Sequence, residues 1–149
     1  VYGESGEAAG ELLRIHGPSL PVIIRNPGGP APGFAPFLER DALIDTGASD
    51  ICISRAIARE LQLAPVDSTM MGVVGGSVEA TIYAGELEIP ELRFRRTLQM
   101  YSPKTIAPHS HVLLGRSFLR FFVITYDGPS GIFHFHPAGA APAGPIDDE

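Results

Sequence analysis

The stretch ALIDTGASDICIS, residues 42–54, decides the fold of this chain. Three apolar residues lead directly into Asp45, and Thr46 and Gly47 follow at once. One interpretation is an ordinary strand-to-turn junction, because Asp side chains hydrogen-bond the backbone that follows them and Gly adopts unusual dihedral angles. The other interpretation is a functional carboxylate that a buried strand carries to a defined position. The rest of the chain decides between the two.

Composition describes a folded, globular chain with an excess of acidic residues. Hydrophobic residues make up 44% of the 149 residues, which is typical of a single domain with a substantial core. The chain has 11 basic and 17 acidic residues, a formal net charge of −6, and its basic residues form no cluster. We therefore expect no nucleic-acid partner, since such binding depends on Lys and Arg contacts with phosphates.

Cys52 is the single cysteine of the chain. One cysteine permits neither an intrachain disulfide nor a four-cysteine zinc site. No apolar run approaches the roughly 20 residues that a membrane-spanning helix requires. We therefore expect a soluble domain with no membrane segment within this chain, while its compartment stays open because the chain begins with Val and a signal or anchor upstream is not visible.

The pattern along the chain predicts a mostly β structure with one or two short helices. Helices are expected at residues 54–63, with Ser54 as N-cap, and at residues 116–122. A proline- and glycine-rich loop is expected at residues 26–33. A turn at residues 127–131 is expected to join the last two strands in a hairpin. The expected strands are residues 12–15, 22–25, 37–45, 77–89, 93–102, 111–115, 121–127 and 131–136.

The segment TMMGVVGG, residues 69–76, predicts a glycine-rich hairpin tip with apolar flanks. Apolar Met and Val side chains gain no hydrophobic stabilisation while they are exposed to water. The tip is therefore expected either to close over a ligand or to pack on the core. A phosphate-binding loop is a third reading of clustered glycines, but no Gly-Lys-Ser/Thr follows and we discard it. A third apolar segment, HVLLGRSFLRFF, residues 111–122, predicts a buried strand followed by a tight turn and a short helix.

Taken in order, Asp-Thr-Gly-Ala at residues 45–48, the hairpin MGVVGG and the segment VLLGR resemble the retropepsin family of retroviral-type aspartic proteases. The helix expected after the first motif is similar to the cellular and bacterial branch of that family. The resemblance covers roughly residues 37–127. It implies a single-domain acid-protease fold, a closed, barrel-like β-sheet with a flap hairpin and one or two short helices.

The resemblance also implies hydrolysis of peptide bonds by a water molecule held between two carboxylates that share a proton. The chain carries one Asp-Thr-Gly and no second copy. One copy supplies half of the pair, so a homodimer with a twofold axis is expected to bring the two Asp45 residues together. The implied partners are a second copy of the chain and a peptide or protein substrate, and no cofactor is expected.

Each motif position inherits an expected role from the resemblance. Residues Asp45, Thr46 and Gly47 are the expected catalytic residues, with the Thr46 hydroxyl bracing the loop of the partner chain. The expected substrate-binding residues are Ala48, Gly72, Val73, Val74, Gly75 and Leu113. Arg116 resembles a structural arginine that pairs with an acid after the catalytic motif; Ser49 occupies the nearest position, and Asp50 is the alternative partner.

The expected domain organisation is a disordered segment at residues 1–10, a protease domain at residues 11–137 and a disordered tail at residues 138–149. Two other function classes stay open. The pairs His109-x-His111 and His134-x-His136, with His16, permit a metal site because alternate strand residues share a face. The same fold also permits dimerisation or peptide binding without cleavage. His111 is a further candidate for pH-dependent substrate binding.

Overall fold

The computed structural model describes residues 7–104 and 112–137, which form two compact units. Of the described residues, the larger unit comprises 19–104 and 112–117, and the smaller comprises 7–18 and 118–137. In chain order the elements are α1 (Glu7–His16), β1 (Ser19–Arg25), β2 (Leu38–Ile44), β3 (Cys52–Ile53), α2 (Arg55–Glu60), β4 (Pro65–Val73), β5 (Gly76–Ile89), a 3-10 turn (Pro90–Leu92), β6 (Phe94–Pro103), β7 (Val112–Leu114), α3 (Arg116–Leu119), β8 (Phe122–Asp127) and β9 (Ile132–Pro137).

The larger unit is a closed barrel of six strands, in agreement with the expected mostly β fold. The strands are ordered β1-β2-β7-β3-β6-β5, and β1 pairs with β5 to close the sheet. β4 lies outside this ring and pairs with β5. Because inward and outward side chains alternate along a strand, apolar residues at every second position fill the interior. They include Val22, Ile24, Ala42, Ile44, Leu87, Ile89 and Leu114, all buried.

The parallel pairing of β2 with β7 fixes the end of β2. Ala42, Leu43 and Ile44 lie opposite Val112, Leu113 and Leu114, respectively. The paired residues are all apolar, and Ala42, Ile44, Val112 and Leu114 are buried in the interior of the barrel. β3 then pairs with β7 on its other side, with Cys52 opposite Leu113. A two-residue strand carries almost no sequence signal, and β3 was not predicted.

β4 and β5 form the hairpin that the glycine-rich segment predicts. The register runs from Pro65 opposite Tyr83 to Val73 opposite Gly76. The connection is the two-residue turn Val74–Gly75, and Gly75 has φ +90°. Only glycine adopts that region without strain, which is why the turn falls there.

The helix expected after the Asp-Thr-Gly segment is present as α2, and Ser54 is its N-cap. The Ser54 hydroxyl accepts a hydrogen bond from the backbone N–H of Ile57 at 3.4 Å. The helix ends at Glu60, earlier than the predicted residue 63, because Gln62 has φ 50°. Ile57, Ala58 and Leu61 are buried, so the predicted apolar face packs as expected.

In the smaller unit, the strand predicted at residues 12–15 is wrong, because these residues belong to helix α1. Ala9 and Leu13 are four residues apart and both buried, so they form the packed face of a helix. Gly10 lies against the β8–β9 turn: a Cβ there would sit 2.7 Å from the carbonyl oxygen of Gly128. Residues 7–10, expected to be disordered, are helical, and residues 1–6 lie outside the described part of the chain.

The predicted hairpin after Asp127 is confirmed as β8 and β9, which pair from Phe122 opposite Pro137 to Asp127 opposite Ile132. Aromatic rings of Phe118, Phe122 and Phe135 pack together, with centroids 5.0–6.4 Å apart. The tail expected at residues 138–149 lies outside the described residues, and a single domain at residues 11–137 stays a prediction. Among the helices of residues 7–104 and 112–137, none combines the length and apolar character needed to cross a bilayer.

Candidate active site

The turn after β2 is built around the Asp45 carboxylate. The backbone N–H of Asp45 donates to the carbonyl of Leu114 at 3.0 Å, which continues the β2–β7 pairing by one residue. Oδ1 of Asp45 accepts from the N–H of Gly47 at 2.8 Å, and the Asp45 carbonyl accepts from Ala48 at 3.2 Å. Asp45 thus does form the turn that the simplest interpretation predicts. Its side chain is half-buried and faces a cleft.

A second layer of hydrogen bonds ties this turn to the start of α3. The N–H groups of Arg116 and Ser117 donate to the carbonyls of Ala48 and Ser49, both at 2.9 Å. Nη1 of Arg116 also donates to the carbonyl of Thr46 at 2.8 Å. The backbones approach closely because residue 115 is glycine.

Asp50 is not the partner of Arg116, so that suggestion is wrong. The Arg116 guanidinium is directed to the Thr46 carbonyl. The Asp50 carboxylate instead accepts from the hydroxyl of its neighbour Ser49 at 2.9 Å. Without an acid at position 49, the arginine braces the turn through a backbone oxygen in place of an ion pair.

The turn, β7 and the β4–β5 hairpin enclose a cleft of about 840 Å³. Most of the residues that the sequence assigned to catalysis and binding line it: Asp45, Gly47, Ala48, Gly72, Val73, Val74 and Leu113. Thr46 and Gly75 are not part of the lining. Six lining residues were not among the predicted site residues: Ser49, Asp50, Cys52, Met71, Pro103 and Arg116.

The tip of the hairpin is free of the core. Val74 is fully exposed at 106%, and Met70 is exposed at 63%. Val73 and Met71 are half-buried and line the cleft. Packing of the tip on the core, the alternative reading of this segment, therefore fails for Val74. Val73 and Met71 give the cleft side of the hairpin an apolar surface that a bound peptide can cover.

Thr46 is exposed on the turn that follows β2. Its carbonyl is held by Arg116, whereas its hydroxyl has no hydrogen-bond partner among residues 7–104 and 112–137. The bracing of a partner chain's loop by this hydroxyl stays a prediction.

Cys52 lines the cleft but is a neutral thiol. Burial, and then the charges of Asp50 and Asp45, raise its pKa to about 11. A thiol with such a pKa is not ionised at neutral pH and is a poor nucleophile. Cys52 is therefore not a candidate nucleophile at neutral pH.

The described histidines do not form a metal site. The rings of His134 and His136 stack on β9 with centroids 6.2 Å apart. No group of three or more potential ligands exists among the described residues. His109 and His111 lie outside the described residues, so the pH role suggested for His111 stays a prediction.

Residues 39–121 match the sequence model of the family described as "gag-polyprotein putative aspartyl protease". The match spans more than half of the chain, and the chain belongs to this family of retropepsin-like proteases. No curated protein matches the sequence closely. The match to the family model confirms the family that the sequence motifs predicted.

Solved structures with a similar fold include viral and cellular proteins. EIAV protease, solved with the inhibitor HBY-793, has a TM-score of 0.50 at 21% identity, over 69% of this chain and 85% of that chain. A retropepsin-like aspartic protease from Rickettsia conorii has a TM-score of 0.42 at 18% identity, over 76% and 90%. The retroviral protease-like domain of Ddi1 from Leishmania major has a TM-score of 0.39 at 14% identity, over 81% and 96%. At these identities the likeness to EIAV protease concerns the fold alone.

Proposed function

We propose that this protein is an aspartic endopeptidase that acts as a homodimer. The observation that carries the proposal is the Asp45 carboxylate, held by a braced turn at the wall of a cleft large enough for an extended peptide. Oδ1 is engaged by the Gly47 N–H, which fixes the orientation of the carboxylate before any ligand arrives. A preorganised acid at a cleft wall is what general acid–base chemistry requires.

The proposed reaction needs two such carboxylates. One Asp45 acts as general base on a water molecule, while the other, protonated, donates to the carbonyl of the peptide bond. Two ionised carboxylates a few ångströms apart repel each other, so the pair shares one proton. Each chain supplies one Asp-Thr-Gly. A twofold dimer provides the second, because a twofold interface presents each residue twice.

Two features of the chain support assembly at this turn. Thr46 is exposed beside Asp45, and its hydroxyl is unpaired within the described residues. A hydroxyl next to a twofold axis can donate to the backbone of the second copy. Arg116 holds the Thr46 carbonyl from behind, so the loop is presented to a partner in a fixed shape.

The substrate is proposed to be a peptide with apolar residues on both sides of the bond that is cleaved. Ala48, Val73, Val74 and Leu113 line the cleft beside Asp45. The β4–β5 hairpin supplies the opposite wall and is proposed to act as a flap, with the backbone N–H near Val74 donating to the bound peptide.

The decisive experiment compares the wild-type protein with Asp45→Asn on a peptide library at mildly acidic pH. Mass spectrometry identifies the products, and light scattering measures the solution mass of both proteins. Asp41→Asn is a matched control, because Asp41 is an exposed acid on β2, four residues before Asp45 and outside the cleft. We expect cleavage by the wild type and by Asp41→Asn, no cleavage by Asp45→Asn, and a dimeric mass.

Equal products from wild type and Asp45→Asn would remove Asp45 from the chemistry. A protein that is strictly monomeric and still active would contradict a carboxylate pair shared between two chains. Peptide binding without cleavage by the wild type would leave the second function class, a retropepsin-like binding module.

A further inference from the structure

A smaller pocket of about 230 Å³ adjoins the cleft. Ser49, Asp50, Met71 and Gly72 line both spaces, so the pocket opens where the turn after Asp45 faces strand β4. Its volume is several times the roughly 30 Å³ that a water molecule occupies in the liquid. A chain bound in the cleft can therefore place one side chain here.

The lining of this pocket is polar. Four of its seven lining residues carry a carboxyl or hydroxyl group, namely Ser49, Asp50, Thr69 and Tyr101, and the other three are Met70, Met71 and Gly72. Carboxylate and hydroxyl oxygens accept hydrogen bonds, and a carboxylate does nothing else when ionised. The pocket thus differs from the apolar wall that Val73, Val74 and Leu113 give to the cleft.

A basic residue, Arg116, lines the cleft together with Asp50. The Ser49 hydroxyl donates a hydrogen bond to Oδ2 of Asp50 at 2.9 Å. Within residues 7–104 and 112–137 no Lys or Arg forms an ion pair with Asp50, and Arg116 is held by the Thr46 carbonyl. A carboxylate without an ion-pair partner can accept charge-assisted hydrogen bonds from a cationic ligand.

A second acid strengthens the negative field. Asp67 lies two residues before Thr69 on β4, and alternate strand residues share a face. Burial, and then the charges of Asp50 and Asp67, raise the pKa of Tyr101 in the pocket wall. A phosphate or a carboxylate would be repelled here. A single carboxylate with neutral hydroxyls also offers too few charged ligands for a divalent cation.

We propose that this pocket receives the side chain of a Lys or Arg of the peptide substrate, with its charged end on Asp50. The position is not one of the two residues joined by the cleaved bond, because neither Asp45 nor Gly47 borders the pocket. The inference rests on the proposed function and deepens it by naming a specificity-determining residue. The net charge of −6 acts in the same direction, since it attracts basic peptides over longer distances.

The first test profiles cleavage. The probes are acetylated decapeptides with a fixed central Leu-Phe pair and every natural residue in turn at each other position. We expect one position at which Lys or Arg raises kcat/KM about tenfold or more over Gln, the range of a charge-assisted hydrogen bond. Asp50→Asn is expected to remove that ratio, and Asp50→Lys to reverse it in favour of Glu.

Tyr101→Phe is a second variant that keeps the shape of the pocket and removes one hydroxyl. We expect it to reduce the Lys/Gln ratio only in part, because the charge of Asp50 remains. Asp41→Asn, at an exposed acid outside the linings of the cleft and the pocket, serves as the matched control and is expected to retain the ratio.

The second test measures binding and does not depend on cleavage. Asp45→Asn protein, with and without Asp50→Asn, is titrated with the fluorescein-labelled decapeptide carrying Lys and with its Gln counterpart. We expect tighter binding of the Lys peptide, and loss of that difference when Asp50 is replaced. The binding measurement still tests the inference if the wild-type protein cleaves no peptide. That result would overturn only the proposed function.

A wild type with no preference for Lys or Arg at any position, in cleavage and in binding, would overturn the inference. So would a preference that survives in Asp50→Asn unchanged.

Discussion

Nη1 of Arg116 donates a hydrogen bond to the carbonyl oxygen of Thr46 at 2.8 Å, across 70 residues of sequence. The backbone N–H of the same arginine holds the carbonyl of Ala48. One residue therefore fixes both ends of the turn that carries Asp45, and the orientation of the carboxylate depends on it.

Arg116→Met is expected to lower the free energy of unfolding by about 1 kcal/mol, the usual net value of one hydrogen bond. The decrease in kcat/KM, expressed as a free energy, is expected to exceed the decrease in the free energy of unfolding, because the turn around Asp45 loosens. Urea denaturation and kcat/KM measure the two effects. Arg59→Met, at an exposed position of α2, is the matched control, and an equal loss in both variants would contradict the bracing role.

Gly115→Ala is expected to destabilise the larger unit by about 2–3 kcal/mol, the cost of overpacking a tight site. A Cβ at position 115 would lie 2.4 Å from the carbonyl oxygen of Asp50 and 2.6 Å from that of Ala48. Gly72→Ala provides the control, because nothing lies within 4 Å of a Cβ there. Thermal or urea unfolding that ranks the two variants equally would contradict the close approach.

Cys52 is expected to make the protein less stable in alkali. Its pKa rises from 9.0 to about 11 on folding, so the folded state penalises the thiolate. The buried neutral thiol makes its full contribution to the free energy of unfolding below about pH 9. This contribution is lost as the pH approaches 11, and the loss is on the order of 2 kcal/mol. The difference in unfolding free energy between wild type and Cys52→Ala, measured by urea at several pH values, isolates this group.

Mixed dimers test the shared carboxylate pair directly. When wild type and Asp45→Asn exchange subunits at equal concentration, about one quarter of the dimers carry two intact Asp45 residues, because a twofold site uses one residue from each chain. Peptide hydrolysis per wild-type chain is then expected to fall by about half. Activity that stays proportional to the wild-type chains would indicate independent sites.

Val74→Gln at the hairpin tip is expected to leave stability within about 0.5 kcal/mol, since the side chain is fully exposed. Peptide hydrolysis is expected to decrease, because the tip is proposed to close over the substrate. Val66→Gln is a control at an exposed position of β4 outside the cleft. Equal kcat/KM for the two variants would argue against a role of the tip in substrate binding.

The sequence predicts those features that short patterns encode. Asp45, the glycine-rich turn at Gly75 and the N-cap Ser54 each leave a local signal, and the structure places them in the expected turn, hairpin and helix. The roles in catalysis and binding stay predictions, because the geometry of one chain does not include the second carboxylate.

Features that depend on distant contacts were missed. The helical residues 12–15 look β-rich in isolation, and only packing at Ala9 and Leu13 selects the helix. Strand β3 has two residues and exists because β6 and β7 pair with it. The partner of Arg116 is a backbone oxygen, and every residue type carries one, so no pattern of side chains could reveal it.

The parallel pairing of β2 with β7 has a consequence for biosynthesis. Asp45 obtains its neighbours Leu114 and Arg116 only when the chain has been translated about 70 residues further. Non-local pairings of this kind form late, because the intervening loop must first close. A nascent chain thus carries an unfinished acid turn until residues 112–116 have been synthesised and have paired with β2.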